Sequence, residues 1–325
     1  MILIAGLGLA AILLAVASLL TGPTRFGSTE FADIIAGSGD PMLRAVLIEL
    51  RLPRALIGLM VGAMLGLGGA VLQGYLRNPL AEPSVLGTSN AAALGAVIAL
   101  YFGIAQAHPL ALPLLAIGGA MLGLAPLTLL AGRAESPLSL ILAGIAVGTL
   151  AGAGISLALN LAPNPFAAME IMSWLMGSIE DRSFTHVWLA LPCITVGAAL
   201  LMWNGRALDA LTLGEDAAQT LGVDLKRLQL RILAGIAIGV GGAVAVSGAI
   251  GFVGLIVPHL LRPFGDRSPS ALLLPSALGG AALLSAADIA VRLIPAETEL
   301  RLGVVTAILG VPVFLYHLLR ERRLW

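Results

Sequence analysis

Apolar residues gather into ten long stretches along this chain, separated by short polar breaks. They cover residues 2–20, 55–76, 86–102, 110–131, 138–161, 187–203, 228–249, 250–263, 272–293 and 302–319. Most are long enough for a helix to cross a bilayer, and none alternates as a barrel strand would. The pattern predicts an all-α polytopic membrane protein of ten transmembrane helices, with residues 1–325 forming a single transmembrane domain. The eighth stretch is short, and its glycines with Pro258 predict an irregular helix buried among neighbours. Residues 166–179 are too few to cross and predict a partial helix at one surface.

One polar island interrupts the pattern, Gly214-Glu-Asp-Ala-Ala-Gln-Thr-Leu-Gly222-Val223. Glycines bracket it, and Glu215 and Asp216 stand where a helix dipole favours negative charge. Ala217, Ala218 and Leu221 share one helical face, with Gln219 off it. The island predicts a short amphipathic helix held at the membrane surface, where another protein could grip it. An interfacial helix that only closes the loop is the alternative.

Composition sharpens the membrane reading. The chain is 58% hydrophobic and 11% charged, with a mean hydropathy of +1.00, outside the range of a soluble globule. Its net charge is zero, so nothing points to nucleic acid. Cys193 is alone and reads as packing. The 40 glycines matter more, because helices in lipid associate through close backbone approach at small residues. Gly58, Gly62 and Gly66 repeat every fourth residue, as do Gly144, Gly148 and Gly152, and Gly235 with Gly239; a tightly packed bundle follows. Residues 66–71 also echo residues 239–244, on spans of opposite direction, as an inverted repeat would.

Charge orients the bundle. With the N-terminus inside, 11 Arg and Lys side chains, Arg77, Arg133, Arg206, Lys226 and Arg262 among them, fall on the cytoplasmic side and seven outside. Both termini are then cytoplasmic. Ala15-Val-Ala-Ser18 resembles a signal-peptidase site without a basic region before it, so residues 2–20 read as the first span.

Missing chemistry is equally informative. Ion-coupled carriers keep acidic groups or histidines in mid-membrane, whereas here Asp288 lies one turn before Arg292 and an i,i+4 pair explains both. His259 reads as a packing histidine. No metal-ligand spacing, Gly-x-Ser-x-Gly elbow or paired cysteine occurs, and the only lysine, Lys226, is not in a phosphate loop. The chain reads as a non-enzymatic pore subunit, without cofactor, whose energy arrives from another polypeptide. An ion-coupled secondary transporter acting alone is the alternative.

Several motifs then resemble the FecCD family of ATP-binding-cassette (ABC) importer permeases, which serve iron-siderophore, haem and cobalamin uptake. They are Arg51-Leu-Pro-Arg54, Gly69-Ala-Val-Leu-Gln-Gly74, Arg77-Asn-Pro-Leu-Ala-Glu-Pro83, Gly214-Glu-Asp216, Gly248-Ala-Ile-Gly-Phe-Val-Gly254 and Gly303-Val-Val-Thr306 through Gly310-Val-Pro312. Around Asn78–Pro83 and Ser89-Asn90 the chain is most similar to the cobalamin permease. The resemblance implies a type II importer fold in a bacterial inner membrane: two copies of this chain in membrane lipid, two ATPase subunits below and a periplasmic substrate-binding protein above.

It also implies roles. The helix at 214–223, with Gly214, Glu215, Asp216, Ala217, Gln219, Leu221 and Gly222, would couple to the ATPase. Arg51, Arg54 and Arg292 would meet glutamates of the binding protein, headgroup contact being the alternative. Ser136 and Pro137 would form an inner constriction, and the fifth span with the partial helix would line the pathway. The chain departs from the family pattern at Arg301, where Glu-Leu-Pro is usual, at Ala91, where glycine is common, and at Ser136-Pro137-Leu138, which lacks a small polar run.

Overall fold

A computed structural model describes residues 1–22, 33–34, 36–38, 40–131, 137–266, 268–294 and 299–321. Every regular element among them is helical. Ten helices form the bundle: α1 (Ile2–Leu20), α2 (Leu52–Tyr75), α3 (Thr88–Tyr101), α4 (Ala111–Ala131), α5 (Pro137–Asn160), α6 (Phe184–Met202), α7 (Leu225–Ser247), α8 (Val253–Leu261), α9 (Pro269–Leu293) and α10 (Leu302–Glu321). Seven are long and apolar enough to cross a membrane, and α3, α8 and α10 carry shorter apolar runs. The ten expected helices are therefore present, with altered edges, seven of them long enough to span.

The edges move for physical reasons. Helical backbone precedes α2 from Pro41 onward, through a wide π-helical turn at Val46–Arg51. α3 starts late because Pro83–Leu86 form a 3-10 turn ended by Gly87 in the left-handed region, φ 69°. α8 is short and irregular, as expected: Gly248 and Phe252 both take positive φ before it, and Pro258 lies within it. The partial helix is Pro165–Leu175, hereafter the flank helix. The helix at Gly205–Leu211 was not anticipated.

α2 and α7 run through the centre, while α1 is peripheral and rests mainly on α9. The most extensive contact is α2 on α9. There Gly62 and Gly280 meet backbone to backbone, so a Cβ on either would strike the carbonyl of the other, and Gly66 meets the Ser276 carbonyl in the same way. Gly197 with Gly235 and Gly239 makes the corresponding approach between α6 and α7. Cys193 packs on Gly242 of α7. Gly144 and Gly148 seat the Gly87 turn against α5, whereas Gly152 of the same series faces open space.

That seating places non-helical backbone deep in the bundle. Gly144 and Gly148 lie about 10–16 Å along α5 from its start, at 1.5 Å per residue. Such backbone is tolerated at membrane depth only where protein or a cavity covers it. The second break, 248–252, meets the first: Pro83 abuts Gly254, and both segments line one cavity of about 100 Å³ with Glu82, Ser84 and Asn90. The echoing stretches 66–71 and 239–244 occupy α2 and α7. These helices run antiparallel, with Gly68 beside Ile236 and Val240 and Met64 on Gly239, and each is followed by a break and a short helix.

Candidate functional site

At one end of the bundle, the polar island folds as the helix Glu215–Thr220. Gly214 (φ 103°) and Gly222 (φ 88°) supply the turns at its two ends. Its finish is a Schellman cap: the Val223 N–H donates to the Ala218 carbonyl at 3.0 Å and the Gly222 N–H to Gln219 at 2.9 Å. Ala218 is fully buried, against a layer that includes the Gly205–Leu211 helix. That helix is pinned in turn to α9, where Asp209 accepts from the Ser270 N–H at 2.9 Å.

Arg77 completes the bracing from α2. It ends α2 in the left-handed region, φ 49°, a position that glycine fills more easily, and its guanidinium lies 3.4 Å from Glu215. Behind it, buried Gln73 donates to the Gly254 and Leu255 carbonyls and accepts from Arg262 at 3.0 Å. Asp216, Gln219 and Gly222 are exposed, and Glu215 and Ala217 half-buried. The shared-face reading needs one correction. Leu221 caps the helix and points outward, 64% exposed, because the Schellman turn swings it off the packing face. The braced helix thus presents acidic, amide and apolar groups together on a rigid base.

The other end of α2 is built differently. Arg51, Arg54 and Arg292 come together there, but each is engaged within the chain. Arg54 donates through Nε to Asp288 at 2.9 Å and through both terminal nitrogens to Glu299, at 3.1 and 2.8 Å. Arg292 pairs with Asp288 at 2.6 Å and donates to the Ser18 and Thr21 carbonyls at the end of α1. Arg51 donates to the Leu19 carbonyl at 2.8 Å. Side-chain exposure is 13% for Arg54, 4% for Arg292 and 2% for Asp288. Most of this charge is interior, so the expectation that these arginines stand open to a partner does not describe the chain by itself. The expected Asp288–Arg292 pair is present.

A second cluster adjoins this one. Arg301 pairs with Glu180 at 3.0 Å and donates to the Ser173 hydroxyl of the flank helix at 2.8 Å. Burial and then the charge of Glu299 push the Glu180 carboxyl above the usual glutamate value, and burial lowers Arg182. The family departure at Arg301 therefore has a structural occupation, fastening the start of α10 to the flank helix.

Along α5, Thr149, Ala153, Ser156 and Asn160 form an exposed stripe at helical spacing. Beyond the end of α5, the flank helix exposes Phe166, Met169 and Met172. Polar groups on a membrane helix ordinarily face a protein surface or water-filled space rather than lipid. Of the expected constriction, Ser136 lies outside the described residues, and Pro137 is the first residue of α5.

A bundle of apolar helices with non-helical breaks packed inside it and a braced helix at one end is the architecture of a multi-pass membrane protein. The chain belongs to the FecCD transport family, whose model matches residues 9–320. It is 43% identical over 275 residues to the vitamin B12 import system permease protein BtuC of Vibrio cholerae, covering 84% of this chain and 82% of that one. It is 40% identical over 303 residues to the cobalamin import system permease protein BtuC of Halobacterium salinarum, covering 92% and 77%. An uncharacterised ABC transporter permease protein of Bacillus subtilis, YvrB, is 39% identical over 292 residues, covering 88% and 82%. A solved structure described as an inward-facing, metal-chelate type ABC transporter superposes with a TM-score of 0.87 at 31% identity, covering 96% of each chain. The chain is accordingly a permease subunit of an ABC transporter and not an enzyme, ATP hydrolysis residing in a separate subunit. The ion-coupled alternative falls with this membership.

Proposed function

We propose that two copies of this chain form the pore of a bacterial inner-membrane importer for a metal chelate, cobalamin being the first cargo to test. Two ATPase subunits bind at the Glu215 end and a substrate-binding protein docks at the Arg54 end. The observation that carries this reading is the exposed face of a short helix braced by α2 directly and by α9 through the Gly205–Leu211 helix. A loop closure needs no such bracing, whereas a lever does. The BtuC relatives support cobalamin, and the charge rule supports placing the Arg77 and Lys226 end, with both termini, in the cytoplasm. Residues 214–222 act as the coupling element, Ser136 and Pro137 as the inner constriction, and the α5 stripe faces the second copy across the pathway. Residues 1–325 work as one transmembrane domain.

The test is uptake into proteoliposomes holding this chain with its partner ATPase and binding protein, offered cobalamin, haem or a ferric siderophore. ATP-dependent cobalamin uptake is expected. Replacing Glu215→Lys together with Asp216→Lys should abolish it by releasing the ATPase, although opposing the helix dipole costs only about 0.3–1 kcal/mol per site. Unchanged uptake by that variant refutes the coupling role, and uptake of another cargo alone refutes cobalamin.

A further inference from the structure

Arg54 holds two carboxylates of its own chain at once, and they are not equivalent. Asp288 is 2% exposed, sits within α9 and also pairs with Arg292, so it cannot leave without stranding two buried cations. Glu299 is 27% exposed, belongs to the non-helical link before α10, and grips Arg54 from the solvent side. Arg54 therefore has one fixed partner and one exchangeable partner.

What surrounds Glu299 gives the exchange a direction. Its charge reaches Glu180, and Glu180 is the carboxylate that holds Arg301, two residues beyond Glu299. The same Arg301 ties the flank helix through Ser173. Glu299 and Glu180 thus stand between two arginines, each carboxylate engaged with one of them.

We propose that Glu299 is an intramolecular stand-in for an acidic side chain of the docking protein. On docking, the partner's carboxylate takes the two terminal nitrogens of Arg54, and Glu299 transfers to Arg301, where it competes with Glu180. The tie between Arg301 and Ser173 then loosens, freeing the flank helix beside the pathway. Arg54 exchanges one carboxylate for another, and the released Glu299 shares Arg301 with Glu180. This rests on the reading of the Arg54 end as the binding-protein dock.

The experiment measures docking of the partner binding protein onto the full permease–ATPase complex in nanodiscs. Removing a competitor must tighten docking, whereas removing a merely structural residue must weaken it. Glu299→Gln should therefore tighten docking, up to about fivefold, the equivalent of the ~1 kcal/mol upper range of a partly exposed ion pair. Glu299→Asp, too short to keep both bonds, should shift docking the same way by less, and carries the test if the glutamine variant does not accumulate. Arg54→Gln should weaken docking. Arg301→Gln should lower the stimulation of ATP hydrolysis by docking, because the released Glu299 has no destination. If Arg54→Gln weakens docking while both Glu299 variants leave it unchanged or weaker, the stand-in is refuted and the dock survives. If Arg54→Gln docks as the unaltered chain does, the dock and the stand-in fall together.

Discussion

The two ends of α2 carry the same kind of residue and use it in opposite ways. At one end Arg54 sits with Asp288, Arg292 and Glu299 in a network that is mostly interior, joining α1, α2, α9 and the link to α10. At the other, Arg77 stands 45% exposed over Glu215, in a strained backbone position. Buried pairs of the first kind hold a fold together, because removing one partner strands a desolvated charge. Exposed pairs of the second kind add little stability and mainly fix direction. Charge therefore locks the bundle at the Arg54 end and aims a protruding helix at the Arg77 end.

The sharpest way to break that contrast is Asp288→Ala. It leaves Arg54 and Arg292 short of their buried counter-charge, and breaking a buried pair costs about 3–5 kcal/mol. The expected result is little folded protein in the membrane and a large drop in melting temperature. A variant that melts like the unaltered chain shows that the network is ornamental to the fold.

A smaller effect, confined to the other end, is expected from Ala218→Leu. The site is fully buried, and overpacking costs typically about 1–3 kcal/mol. The short helix should detach while the bundle stays folded, so ATPase association falls with only a modest change in melting temperature. Equal loss of both would mean that the helix is part of the bundle's cooperative core.

The smallest stability effect is expected from Arg77→Gly. Glycine removes the left-handed strain, about 1–2 kcal/mol, and this offsets the loss of a weak exposed pair and the added freedom of the unfolded chain. Melting should move little or rise slightly while coupling to the ATPase falls, read as transport per ATP hydrolysed. A clear loss of stability would place Arg77 with the interior charges and erase the difference between the two ends.

Much of this arrangement is readable from residue order, and the limits have physical causes. Hydropathy locates the ten helices because lipid demands long apolar runs whatever the tertiary arrangement. Four-residue glycine spacing marks the α2–α9 seam, since only small residues permit such approach. The Asp288–Arg292 pair is legible because one helical turn separates its members. Arg54 with Asp288 is not, because 234 positions intervene and only packing brings them together. The same reason hides the grip of Arg51 and Arg292 on the carbonyls at the end of α1. Leu221 was misplaced because helical periodicity was carried one residue past the helix, into the Schellman turn. The late start of α3 could have been suspected from Pro83 and Gly87, which favour a turn, but its depth depends on Gly144 and Gly148 of a different span.

The glycine seam between α2 and α9 also shapes how the gene can change. At Gly62 and Gly280 the atoms that would be struck are backbone, which every amino acid possesses. No rotamer change or shortened neighbour relieves the clash, so a lone substitution in either helix has no single-site suppressor across the seam. Any altered first or second base in either glycine codon meets that barrier at once, and an escape would have to reposition a whole helix. The two stretches, more than 200 positions apart in the chain, are therefore expected to pass through descent as one locked unit, while exposed faces such as that of the peripheral α1 drift around them.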